Sequence, residues 1–178
     1  MKYLLYLLIS GFALWIGSEI LEIIQGGYSP AVYYMTAAYH ILAGFGIWSL
    51  HLLQAGKKNN VSLTATILIS LTYFALAYFP IQVMQSGLSV SAFIAANPIY
   101  KIPGLISLAG FVLFGLAIIK TRYFPAWTGV AIILCTIIYG IAMAKQLQLV
   151  VNINNIILSI VIIYIGVLGI GNRNNLQQ

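Results

Sequence analysis

Between Ile102 and Lys120 the chain reads IPGLISLAGFVLFGLAIIK, an apolar run whose single charge is its last residue. A run of about 20 apolar residues is what an α-helix needs to cross the hydrocarbon core of a bilayer. In lipid the backbone N–H and C=O groups have no water to bond, so such a run must close its hydrogen bonds within one helix or a closed barrel. Barrel strands would alternate apolar and polar residues over about ten positions. No alternation is visible here, and a helix follows.

Outward from this run, five more of the same kind can be read, roughly Tyr3–Ile24, Ala31–Gln54, Val61–Met84, Pro125–Ala144 and Val150–Ile170. The chain therefore reads as an all-α polytopic bundle of six spans, a single transmembrane domain over residues 1–178. Composition agrees: 62% of residues are hydrophobic and 6% charged, with a mean hydropathy of +1.02. A soluble domain carries about a quarter charged residues. A fold this poor in charge would present large apolar patches to water. The connections are short. The longest, about Gln85 to Lys101, contains Asn97 and Pro98 and has room for a short interfacial turn. Pro80 falls in the last turns of the third span and either bends that helix or ends it near Phe79.

The net charge of +6 could suit an acidic partner. Nucleic acid is not expected, because no basic cluster interleaved with aromatic residues is present. The cations fall instead at span ends, with Lys2, Lys57, Lys58, Lys120, Arg122 and Arg173 on one side and Lys101 and Lys145 on the other. That asymmetry is the positive-inside bias, and it places both termini in the cytoplasm. Lys2 followed by an apolar stretch has the look of a signal peptide. Ile16 and Glu19 flank the only small pair, Gly17-Ser18, which makes a poor cleavage site; the first helix is expected to stay. Cys135 is alone and forms no internal disulfide.

Leu42-Ala43-Gly44-Phe45 recurs as Leu108-Ala109-Gly110-Phe111. The same register matches Leu50 with Leu116, Ala65 with Ala131, Ile67-Leu68 with Ile133-Leu134 and Tyr73 with Tyr139. A repeated hairpin, 39–79 and 105–145, would explain this; so would chance within the narrow alphabet of membrane sequences. Gly44 and Gly110 are in either case candidates for close helix packing, because small residues let helices approach where lipid supplies no hydrophobic push.

Charges inside a bilayer cost about 3 kcal/mol on insertion scales and call for a reason. Glu19 and Glu22 are the only acidic residues. They lie one turn apart on one face of the first span, with Ser18 and Gly11 on the same stripe. Glu19 sits roughly 9 Å below the outer end of its span. One account pairs it with Lys101 or Lys145; the other makes it an intramembrane carboxylate that shuttles a proton or binds a cationic group. His40 and His51 share a face of the second span about 16 Å apart, too far to ligate one haem. With no third His, a bis-histidine haem is excluded. His40 lies near the depth of Glu19, and a proton-linked Glu19–His40 pair is preferred to a metal triad of Glu19, Glu22 and His40. Tyr39, Tyr73 and Tyr139 lie deep, where a phenol wants a partner. With Asn97 and Asn152 they concentrate polarity in the outer half of the bundle. The candidate pocket is thus Glu19, Glu22, His40, Tyr39, Tyr73, Tyr139 and Asn152, opening outward, with no metal and no cofactor expected. Phosphate loops, nucleophile elbows, Cys-x-x-Cys pairs and aspartate are all missing from the sequence, so no catalytic signature stands out.

The stretch from Gly110 to Ala142 contains Lys120-Thr-Arg-Tyr-Phe-Pro125-Ala-Trp127-Thr-Gly129 between two apolar spans. It resembles uncharacterised six-span bacterial membrane proteins, in which a short basic turn followed by Leu-Pro-x-Trp or similar joins two late helices. The resemblance implies a multi-pass protein of the bacterial inner membrane and carries over no functional residue. Three functions follow as expectations. The preferred one is a small-molecule-binding or proton-linked membrane protein. The second is a membrane-embedded enzyme on a lipid or isoprenoid substrate, with Glu and His as acid and base. The third is a structural or accessory subunit whose polar residues only fix packing. The partners expected are the lipid bilayer and, given the short chain, a second copy or another membrane protein.

Overall fold

Runs of Leu, Ile, Phe and Ala fold as helices throughout the residues that the computed structural model describes, 1–54 and 60–176. They form α1 (Lys2–Gln25), α2 (Pro30–Gln54), α3 (Asn60–Ala77), α4 (Phe79–Ser86) and α5 (Val90–Ala96). A 3-10 turn at Pro98–Tyr100 leads into α6 (Lys101–Thr121), α7 (Ala126–Ala144) and α8 (Gln148–Leu176). Lys57 and Lys58, which carry part of the charge asymmetry, lie outside the described residues.

Five segments are long and apolar enough to cross a membrane: Lys2–Gln25, Asn60–Ser86, Pro98–Thr121, Ala126–Ala144 and Gln148–Gly171. That is the make-up of a multi-pass membrane protein. At 25 residues α2 is long enough to join them. It falls short in apolarity because Tyr33, Tyr34, Thr36, Tyr39, His40 and His51 lie within it.

The long helices close into a ring in the order α1, α2, α3, α6, α7, α8 and back to α1. Short turns make chain neighbours antiparallel. At the α1–α2 turn, Gly26 takes a left-handed conformation (φ 68°) that a side chain would strain. The Gly27 N–H bonds the Glu22 carbonyl at 3.1 Å. Phe12, Tyr39, Phe114, Ile132 and Ile162, each at most 1% exposed, fill the interior of the ring.

Small residues set the distances between helices. A Cβ on Gly11 would lie 2.9 Å from the Ala43 nitrogen, and one on Gly46 would fall on the main chain of Leu8. Gly115 and Gly129 face each other's carbonyls, at 2.6 and 2.5 Å from a built Cβ. The glycines of the repeated motif meet side chains of α3 from its two sides. Gly44 looks at the Phe74 ring at 2.9 Å and Gly110 at Ile69 at 2.8 Å. Gly44→Leu is expected to cost about 1–3 kcal/mol by overpacking; an unchanged melting curve in detergent would contradict this role.

Hydrogen bonds tie helices further. Ser70 Oγ accepts from the Trp48 indole at 3.0 Å and donates to the Gly44 carbonyl at 2.8 Å. Asn154 Nδ2 of α8 donates to the Cys135 carbonyl of α7 at 3.0 Å. At the opposite end of the bundle from the α1–α2 turn, Thr121 donates to Gln54 at 3.1 Å.

Of the two expectations for Pro80, the helix end near Phe79 is what forms: α3 stops at Ala77 and a new helix, α4, starts at Phe79. The helix breaks at Tyr78, because proline in the first turn of α4 has no N–H to give back to α3. Gln82 N–H still bonds the Tyr78 carbonyl at 3.1 Å, and the chain continues as α4. The segment that follows is the interfacial turn read from the sequence. Ser89 caps α5 by accepting from the Ala92 N–H at 3.3 Å. Phe79, Phe93 and Tyr100 cluster, Phe79 and Phe93 T-shaped and Tyr100 tilted against both, and Tyr100 donates to Gln82.

Candidate functional site

Helix α1 stands between α2 and α8, and its two carboxylates turn toward α8. Glu19 is 7% and Glu22 6% exposed. Gln148, Asn152 and Asn155, spaced four and three apart, form one stripe on α8. Asn155 Nδ2 donates to Glu19 Oε1 at 2.9 Å. Gln148 Nε2 donates to Glu22 Oε1 at 2.9 Å and to Asn152 Oδ1 at 2.8 Å. The Trp15 indole lies beside Glu19, and the Tyr28 hydroxyl, from the α1–α2 turn, lies beside Glu22. Two acceptors stay buried without a partner, Glu19 Oε2 and Asn155 Oδ1.

The ion pair expected for Glu19 does not form. Neither Lys101 nor Lys145 reaches it; at its depth α8 offers carboxamides. Lys101 opens α6, which is not a neighbour of α1 in the ring.

The other expected pocket residues form a separate cluster between α2 and α3. Tyr39 donates its hydroxyl to Tyr73. His40 Nδ1 lies 2.7 Å from the carbonyl of Thr36, one turn back on its own helix. Its ring sits 4.7 Å from Tyr39 and 5.2 Å from Tyr73. Trp15 stacks on Tyr39 at 4.4 Å, so Glu19 and His40 communicate only through Trp15 and Tyr39 and make no direct pair. Tyr139 on α7 is half-buried and within electrostatic range of Glu19 and Tyr39. Among the described residues no three His, Cys, Asp or Glu side chains gather as a metal site, and the Glu19, Glu22 and His40 triad is not assembled.

A groove of about 460 Å³ opens at the end of the bundle where α1 stops. Its walls are the α1–α2 turn and the start of α2 on one side, with Gly27, Tyr28 and Tyr33, and α4–α5 on the other, with Met84, Leu88 and Ser89. Tyr28 and Tyr33 stack at 5.3 Å. Tyr28 joins the groove to the α1–α8 seam, because it lines the one and lies beside Glu22 in the other. Glu19, Glu22, His40, Tyr39 and Tyr73 are not among the lining residues.

From the expected pocket, then, the structure brings together Glu19, Glu22 and Asn152. Sequence reasoning missed Asn155, Gln148, Trp15 and Tyr28. A signal for Asn155 was present: Asn152, Asn154 and Asn155 crowd one stretch of an apolar span, where each amide needs a partner. Tyr28 and Tyr33 gave no such signal, since aromatic residues near a span end are common at membrane interfaces. Comparison of the chain with protein-family models, curated proteins and solved structures finds no match.

Proposed function

We propose that this chain is a six-span protein of a bacterial cell membrane that binds a small organic cation in a groove at its outer face. The observation that carries the proposal is a pair of buried carboxylates with no cationic partner among the described residues, of which Glu22 lies beside Tyr28, one of the two stacked tyrosines that wall the groove. An aromatic face beside a negative charge is the chemistry that holds ammonium groups. Glu22, nearer the groove, supplies the charge, and Tyr28 and Tyr33 supply the aromatic faces. We count α2 as the sixth span, a reading supported by its packing along α1 through Gly11–Ala43 and Gly46–Leu8 and along α3 through Trp48–Ser70.

Titration of nanodisc-embedded protein with tetramethylammonium, followed by intrinsic tyrosine and tryptophan fluorescence, tests the proposal. Saturable binding is expected, weakened at least about tenfold, or about 1.4 kcal/mol, by Glu22→Gln and by Tyr33→Ala. A wild-type protein that does not respond at millimolar concentrations would contradict it. Topology is a separate expectation. In a cysteine-free background, Lys145→Cys is labelled by an impermeant maleimide from outside intact cells and Lys120→Cys is not; the reverse pattern would invert the orientation.

The accessory-subunit reading draws on one observation, the burial of Phe12, Phe114 and Ile162 in the ring interior. The enzyme reading draws no support from the site, since Trp15 and Tyr39 keep the presumptive acid and base apart.

A further inference from the structure

We infer that Glu19 holds a proton, closed into a two-bond ring with the Asn155 carboxamide, and that the α1–α8 seam is a proton-binding site reached from the groove. The inference takes the membrane placement and the site from the proposal above and adds the ligand of the deeper carboxyl.

Two unsatisfied acceptors mark the place. Asn155 Nδ2 already donates to Glu19 Oε1 at 2.9 Å. The remaining oxygen of each partner, Glu19 Oε2 and Asn155 Oδ1, is buried with no hydrogen bond. A buried acceptor without a donor costs about 1–3 kcal/mol, and more when it is charged. Both deficits fall on the two groups that already share one hydrogen bond. A single O–H on Oε2, directed at Oδ1, satisfies both. A carboxylic acid and a primary carboxamide have matching edges, one donor and one acceptor each.

The surroundings point the same way. The titratable groups facing Glu19 are Glu22 on its own helix, Tyr28 from the turn, Tyr39 from α2 and Tyr139 from α7. Every one of these is neutral or negative, and α8 contributes amides only. An ionised Glu19 would be a buried charge with a second carboxylate one turn away and no counter-ion among the described residues, and an uncompensated buried charge is costly.

The step balances simply. A proton from the aqueous phase bonds to Oε2, no bond in the protein breaks, and the Glu19–Asn155 pair goes from one negative charge to none. Tyr28 stands at the groove and beside Glu22, which lies one turn above Glu19. Gln148, which is exposed, ties Glu22 to the surface.

Infrared spectroscopy of the nanodisc-embedded protein reads the proton directly. The chain has two glutamates and no aspartate, so side-chain carboxyl bands come from Glu19 and Glu22 alone. At neutral pH the wild type is expected to show a protonated-carboxyl C=O band that shifts with ¹³C-glutamate. Glu22→Gln should keep the band, Glu19→Gln should lose it, and Asn155→Leu should move it to higher frequency as the hydrogen bonds are lost. The wild-type isotope shift needs no variant, so the test survives a substitution that fails to fold. Only ionised carboxylate bands at neutral pH, or a C=O band retained in Glu19→Gln, would overturn the inference. Tetramethylammonium binding without the band would leave the groove standing and remove the proton; the band without binding would do the reverse.

Discussion

Gly46→Leu is expected to abolish folding of the bundle in detergent, and Gly46→Ala to lower its stability markedly. At Gly46 helix α2 rides on the main chain of Leu8, so the neighbour that would have to give way is backbone. Overpacking a core costs about 1–3 kcal/mol when side chains can yield. Where only a whole helix can move, α1 must separate from α2, and the loss should exceed that range. Gly129→Leu should behave alike, because its Cβ would meet the Gly115 carbonyl and Ile118 together. Gly104→Ala is the control: nothing lies within 4 Å of its built Cβ, and alanine is the better helix former. Fluorescence-detected size exclusion after a heating series measures all four. A Gly46→Leu protein eluting and melting as the wild type would show that α1 and α2 are not packed as described.

Asn155→Leu is expected to cost about 1–3 kcal/mol, since it strips Glu19 of the Asn155 hydrogen bond and leaves a polar group buried. Glu19→Leu alone should cost a similar amount by leaving the Asn155 amide bare. The double variant, with both polar groups gone, should recover much of the loss, as exchange of a buried polar pair for apolar residues is often close to neutral. A double-mutant cycle on thermal or denaturant unfolding therefore has a coupling term of the same order as either single loss. Strict additivity would mean that the two residues do not depend on each other. Asn154→Leu separates this seam from its neighbour, because Asn154 bonds the Cys135 carbonyl on α7. It should destabilise without coupling to Glu19.

Helices were legible in the sequence because lipid leaves the backbone no other solution, and the apolar runs gave most boundaries to within a few residues. Position along a helix was legible too. Counting 1.5 Å per residue puts Glu19 roughly 9 Å before the end of α1 at Gln25. What a helix face meets around the bundle is not written locally. Asn155 lies 136 residues from Glu19, and only the closure of the ring makes α8 a neighbour of α1. For the same reason His40, read at a similar depth, sits behind Trp15 and Tyr39 instead of against Glu19. The glycines teach a related lesson. Gly44 and Gly110 stood out because their tetrapeptide recurs, yet the closest backbone-to-backbone approaches are at Gly46, Gly115 and Gly129, which no local pattern flags. Pro80 was ambiguous in sequence because a proline in the first turn of a new helix and one that ends an old helix look the same until the next turn is known to form.

Native mass spectrometry of the protein released from nanodiscs tests the central claim, a cation site built on the α1–α8 carboxylates, most directly. Wild type is expected to carry a small amine or ammonium adduct, tetramethylammonium when supplied, that Glu22→Gln and Tyr33→Ala both lose while retaining the wild-type oligomeric state. A wild-type protein that takes up no cation and instead keeps a stoichiometric protein partner, unaffected by either substitution, would contradict the account and favour an accessory subunit.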